Sequence, residues 1–143
     1  MLKKLVLFLV LLVFVLSAAS YMTGYITIEI PKEMKISMSI LTDTETYHSG
    51  EYMEARVFTA CNNDLDSVIV RIYGIKDKFG EYRINEEKVV RINSPGNETV
   101  FLVRMPSCYG CAGISPGEYN LTTELIYSGE VIGNTSKTIT LAK

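Results

Sequence analysis

From residue 35 to its C-terminus the chain repeats one pattern: apolar and polar residues alternate with period two over some 7 to 10 positions, and each run is closed by Gly, Asn, Asp, Ser or Pro. Successive side chains of a strand point to opposite faces, so this period predicts half-buried β-strands and disfavours helix. Lys35 to Leu41 places Ile36, Met38 and Ile40 on one face; Glu51 to Cys61 places Met53, Ala55, Val57, Thr59 and Cys61 on one face, with Glu54 and Arg56 opposite. Ser67 to Ile75 turns Val68, Val70 and Ile72 inward and Arg71 and Tyr73 outward, after a turn at Asn62-Asn63-Asp64. Lys88 to Ile92 is a shorter run that ends in the loop Asn93-Ser94-Pro95-Gly96. Thr99 to Met105 alternates Phe101, Val103 and Met105 against Val100, Leu102 and Arg104, and the Phe101 face is expected in the core. After Pro116-Gly117-Glu118-Tyr119, one face carries Tyr119, Leu121, Thr123, Leu125 and Tyr127, and the other Asn120, Thr122 and Glu124. Ser128-Gly129-Glu130 then predicts a hairpin into Val131 to Leu141. No sustained 3.6-residue repeat occurs beyond the N-terminus, so an almost helix-free, all-β domain of about seven strands is expected.

The N-terminus is of a different kind. Lys3 and Lys4 precede an unbroken apolar run of 12 residues, Leu5 to Leu16, and then Ser17-Ala18-Ala19. That is the layout of an export signal, with residues 1–19 as signal peptide or membrane anchor. The run is short of the roughly 20 apolar residues that span a ~30 Å hydrocarbon core. The competing reading is an uncleaved anchor, since no charge falls between Leu5 and Ile28 and Tyr21 and Tyr25 suit a headgroup region. Either way Lys3 and Lys4 hold the chain start on the cytoplasmic side, and the body is expected outside, extracellular or at the cell surface. Residues 20–34 form an N-terminal strand or linker in which Ile26, Ile28 and Ile30 alternate as a candidate assembly strand. Residues 35–143 are the single domain.

Three acceptor sequons fit that location: Asn97-Glu98-Thr99, Asn120-Leu121-Thr122 and Asn134-Thr135-Ser136, which make Asn97, Asn120 and Asn134 candidate glycosylation sites. Removal of residues 1–19 leaves 12 basic against 16 acidic residues, and the basic ones are dispersed. Nothing here is built to neutralise phosphates, so no nucleic-acid partner is expected.

On Tyr47-His48-Ser49-Gly50-Glu51-Tyr52 before one strand and Pro116-Gly117-Glu118-Tyr119 before another, the chain resembles the extracellular immunoglobulin-like modules, of the adhesion or filament-associated kind, of archaeal and bacterial surface proteins. The resemblance covers the body from about Lys35 and implies an immunoglobulin-like β-sandwich rather than an activity.

The residues able to carry chemistry are few. Cys61, Cys108 and Cys111 are disulfide candidates in an oxidising compartment. Loop entropy favours Cys61 as a partner, at about 4 kcal/mol against about 2 kcal/mol for the short Cys108-Cys111 loop. Local closure of Cys108-Tyr109-Gly110-Cys111 would instead leave Cys61 as a small buried apolar residue. A redox role for that motif needs a helix N-terminus to lower a thiol pKa, and Gly113, Pro116 and Gly117 follow it. With three Cys and the lone His48, a tetrahedral metal site lacks a convincing ligand set. Asn62, Asn63, Asp64 and Asp66 could offer oxygens to Ca²⁺ but read as a polar turn. Glu86 and Glu87 are adjacent and fall on opposite strand faces. No catalytic residue, metal site or cofactor is expected. The chain reads as an exported surface module without catalytic activity, with other surface or envelope proteins, or copies of itself, as partners. The alternatives are a filament or envelope-assembly subunit, in which Tyr25 to Ile30 adds to a neighbour's sheet edge or the chain stays anchored in a way similar to the sandwich subunits of the archaeal motility stator, and a redox or metal carrier through Cys108 and Cys111.

Overall fold

The structure, a computed structural model, describes residues 33–108 and 113–143. The expectations for residues 1–32, including the signal or anchor and the strand Tyr25 to Ile30, and those for Cys111 lie outside the described residues. Residues Glu33–Lys143 form one compact unit, and every regular element described in it is a strand.

Eight strands follow one another: β1 (Ile36–Thr42), β2 (Thr46–His48), β3 (Tyr52–Cys61), β4 (Leu65–Lys76), β5 (Tyr82–Ile92), β6 (Gly96–Arg104), β7 (Gly117–Tyr127) and β8 (Glu130–Ala142). They build a three-stranded sheet in the order β1-β3-β6 and a five-stranded sheet in the order β2-β8-β7-β4-β5. All pairs are antiparallel except β2 with β8.

The alternation read from the sequence puts the expected faces inside. Met53, Ala55, Val57, Thr59 and Cys61 of β3 and Phe101 and Val103 of β6 are buried. So are Val68, Val70 and Ile72 of β4, Leu121, Thr123 and Leu125 of β7, and Ile139 and Leu141 of β8. All but Thr59 and Thr123 belong to one continuous hydrophobic cluster, the arrangement of a two-layer sandwich.

Two points correct the sequence reading. The strand count is eight, because β2 contributes a three-residue strand around Tyr47, too short to display a period. And β5 begins at Tyr82, six residues before the expected Lys88, since Tyr82 to Lys88 buries only Ile84 and carries charge at four of the other positions. An edge strand facing water has no apolar alternation to read, and its charges protect the edge from pairing.

Turn chemistry sets the register. Ser128 (φ 52°) and Gly129 (φ 82°) both take left-handed conformations between Tyr127 and Glu130, which gives the two-residue turn that matches strand twist. The β4–β5 turn is organised by Asp77, whose carboxylate accepts the backbone N–H groups of Phe79 (2.8 Å) and Glu81 (3.0 Å) and pairs with Arg83 at 3.0 Å. Burial would push this carboxyl upward, but the N–H donors of Glu81 and Phe79 and the Arg83 charge outweigh it and hold the pKa below the ordinary value. On the far side of the sandwich, Lys88 reaches from β5 to donate to the Val100 carbonyl of β6 at 2.6 Å, covering that edge of the smaller sheet.

Candidate interaction surface

The outer face of the three-stranded sheet departs from the usual apolar-in, polar-out division. The inward set of β1, β3 and β6 is apolar, as expected, but the outward set also carries large apolar side chains: Leu41, Tyr52, Phe58, Val100 and Leu102. Leu102 is 62 % exposed, Tyr52 60 % and Leu41 55 %. Pairing register brings them together. Leu41, Arg56 and Val100 form one cross-strand row, Ser39, Phe58 and Glu98 the next, and Glu54 sits opposite Leu102. Same-face neighbours in adjacent rows lie within side-chain reach, so Leu41, Phe58, Val100 and Leu102 flank Arg56 and Tyr52 extends the patch beyond Glu54 and Leu102.

Arg56 is fixed at the centre of the patch. Its Nε donates to Glu54 Oε1 at 2.7 Å, and Nη1 lies 3.6 Å from Glu98. The hydrogen bond to Glu54, then the charges of Glu54 and Glu98, hold the guanidinium still more firmly protonated. At one end of the face a shallow groove of about 570 Å³ opens over Phe58, Ala60, Pro95 and Gly96, with Ser37, Ser39 and Glu98 around it. At the Gly96 side of the groove β6 approaches β3 very closely, and a Cβ there would run into the Thr59 carbonyl and the Ala60 Cα.

The outer face of the five-stranded sheet is organised differently. Arg71 lies 3.5 Å from Glu87, donates to Asn85 at 3.0 Å and sits over the Tyr73 ring at 5.1 Å. The Tyr73 hydroxyl donates to Glu124 at 2.7 Å, and its ring meets Tyr82 edge to face. These groups satisfy one another. An apolar row, Val89, Ile69, Ile126 and Val131, crosses four strands at one end of the face. Of that row Val89 and Val131 are exposed, against five exposed large apolar side chains on the outer face of the smaller sheet.

The residues singled out from sequence are dispersed over the body. Cys61 is buried at one end of β3, whereas the Cys108 N–H donates to Ser49 Oγ at 2.8 Å, near the other end of that strand. The strand's length separates the two thiols by roughly 30 Å at ~3.3 Å per residue. Disulfide geometry needs Cα atoms about 4.4–6.8 Å apart, so the Cys61–Cys108 pairing favoured by loop entropy is corrected: the two do not pair with each other, and both are free among the described residues. Cys61 fills core space as a small apolar residue. Asn120 and Asn134 are exposed, and Asn97 is half-buried with its Oδ1 accepting the Asn93 N–H at 2.7 Å. His48 is exposed and lies 3.4 Å from Glu51.

The oxygen-rich turn is used internally: Asn62 holds Lys35 and Glu33, Asp64 accepts the Ser94 N–H, and Asp66 pairs with Arg91 at 2.9 Å. Among the described residues no three His, Cys, Asp or Glu side chains gather as metal ligands. Sequence reasoning missed the apolar patch because it assigned one face of each strand to the core and left the other unexamined. The signal was present in Val100 and Leu102 between Glu98 and Arg104.

No family model matches the chain, and no curated protein is similar to it. Solved structures are. A CARDB domain from Pyrococcus furiosus, crystallised in complex with di-metal ions, superposes with a TM-score of 0.51 at 14 % identity, covering 76 % of this chain and 89 % of that one. The alkylpurine DNA glycosylase AlkC of Pseudomonas fluorescens, bound to DNA containing an abasic site analog, gives 0.52 at 13 % identity, covering 78 % of this chain and 31 % of that one. At such identity the likeness is one of fold: the body is an immunoglobulin-like β-sandwich.

Proposed function

We propose that this chain is an exported, non-catalytic immunoglobulin-like module that binds another surface or envelope component through the outer face of its three-stranded sheet. The observation that carries this reading is the patch of Leu41, Tyr52, Phe58, Val100 and Leu102 around Arg56. Exposed apolar side chains gathered on one face of a domain mark an interaction surface, and burying the part that each still exposes, between about a third and two thirds of the side chain, would contribute on the order of 1 kcal/mol each. The fixed Arg56 supplies an orientation-dependent polar anchor within it, in the pattern of hot spots that combine aromatic groups and Arg. The N-terminal signal or anchor pattern and the three sequons support the outside location.

The test is a photo-crosslinking residue placed at Leu41 or Leu102 in exporting cells, with Arg91 and Glu118 as controls. Discrete adducts from the apolar positions alone are expected. Adducts formed equally from all four, or from none, would reject the reading.

A second reading, an envelope-assembly subunit, is favoured by the edge of β8. Only Thr140–Ala142 of this 13-residue strand pairs with β2, so the preceding backbone on that side has no strand partner among the described residues. A strand from a neighbouring chain, such as its Tyr25 to Ile30, would complete that edge. Deleting residues 20–31 would then leave a folded monomer unable to assemble; unchanged assembly would exclude it.

A further inference from the structure

We infer that the groove at the Phe58 end of the three-stranded sheet is a binding site for neutral saccharides. This rests on the reading of that face as a binding surface and names the ligand class for one part of it. The volume of about 570 Å³ lies within the range of ligand sites, roughly 300–1,000 Å³.

The floor is apolar and shallow, made of the Phe58 ring, Ala60, Pro95 and Gly96, and Phe58 is 36 % exposed. A pyranose ring presents an apolar C–H face that lies against such a floor, with its hydroxyls projecting sideways. The groups at the sides are those that hydroxyls need. Ser37 and Ser39 are exposed, each offers one donor and two acceptor sites, and the Glu98 carboxylate accepts. Register fixes them relative to the ring, because Ser39, Phe58 and Glu98 form a single cross-strand row and Ser37, Ala60 and Gly96 the next.

Charge narrows the class. Glu98 faces Arg56, which Glu54 also holds, so one cation lies between two carboxylates. Among the described residues no Lys or Arg lines the groove, while the Glu98 carboxylate does, so an acidic ligand meets negative charge there. The central strand β3 is paired on both sides, with β1 and with β6, so the floor offers a peptide strand no free N–H or C=O ladder. A ligand here must use side chains and ring stacking, as a neutral sugar does.

Because the Asn97 sequon borders the groove, the test uses the full chain made in a host without N-glycosylation. Titration calorimetry with cellohexaose, maltohexaose and chitohexaose, and with oligogalacturonate as the acidic comparison, should give saturable binding of at least one neutral oligomer and tenfold or weaker binding of the acidic one. Phe58→Ala, at an exposed position that leaves the core intact, should weaken binding at least tenfold, and Ser39→Ala should weaken it less. Val89→Ala, at an exposed position on the other sheet, should leave it unchanged. No heat with any neutral oligomer, equal binding of oligogalacturonate, or indifference to Phe58→Ala would overturn the inference. If the crosslinks from Leu41 and Leu102 persist in that case, the surface reading stands and only the ligand class falls.

Discussion

Replacing Gly96 by Ala should be among the most costly single-methyl additions in this domain, and the reason is contact rather than backbone conformation. The added Cβ would stand 2.9 Å from the Ala60 Cα and 3.1 Å from the Thr59 carbonyl carbon, with the Thr59 oxygen nearer still. All three are backbone atoms of the central strand β3, so no side chain can swing aside. To reach ordinary contact near 3.4 Å or beyond, β6 must withdraw where Ala60 faces Gly96. Overpacking of this kind costs about 1–3 kcal/mol, and loosening one ladder hydrogen bond adds about 0.5–1.5 kcal/mol. The stiffer unfolded chain returns about 0.4–1 kcal/mol. The midpoints give a net destabilisation of about 2.3 kcal/mol, within bounds of roughly 0.5–4 kcal/mol, or a fall in Tm of about 9 °C at about 4 °C per kcal/mol for a domain of this size. Urea unfolding followed by far-UV circular dichroism measures it. Gly129→Ala is the control: φ is 82° there but nothing lies within 4 Å, so only the left-handed penalty of about 1 kcal/mol applies. A Gly96→Ala variant within 0.5 kcal/mol of the parent, or less destabilised than Gly129→Ala, would refute the close approach of β6 to β3.

Phe101→Ala, which empties a fully buried site, should cost about 3–5 kcal/mol by the same unfolding assay. Tyr47→Phe removes a hydroxyl that donates to Asp43 and accepts the Thr44 N–H at 3.1 Å, and should cost about 1–2 kcal/mol near neutral pH. The Tyr47 hydrogen bond is the main reason the Asp43 pKa lies below its ordinary value. A depressed folded-state pKa gives stability that is present above the unfolded value of about 3.9 and is lost as pH falls through the folded one. The gap between parent and Tyr47→Phe should therefore narrow as pH drops below about 4, and a gap independent of pH would contradict that assignment. Cys61, buried and far from Cys108, should resist alkylation in the native state and react once urea unfolds the chain, as read by peptide mass. Rapid native labelling of Cys61 would contradict its place in the core.

How much of this was legible in sequence depended on whether burial was local. β3, β4, β6 and the β7–β8 hairpin were readable because each buries alternate residues over several positions, and Ser128-Gly129 has the chemistry its turn requires. The first half of β5 was not, because an edge strand exposed on most positions substitutes Arg83, Glu86, Glu87 and Lys88 for the alternation. β2 was not, because one buried residue, Tyr47, makes no period. The division into three and five strands depends on pairings distant in sequence, such as β3 with β6 and β2 with β8, which no local pattern specifies. Cys61 shows the same limit: entropy ranks loops by length, but only the fold reveals that a whole strand separates it from Cys108. The groove is a product of register, since Ser39, Phe58 and Glu98 become neighbours only when three strands align.

The central claim is that Leu41, Tyr52, Phe58, Val100 and Leu102 form a surface that is covered when the protein is at work. Hydroxyl-radical footprinting of the chain on intact cells, compared with the purified protein, tests it residue by residue. Strong protection of those five on cells, with Phe79 and Val89 oxidised equally in both samples, is the predicted result; equal oxidation of the five in both samples would contradict it.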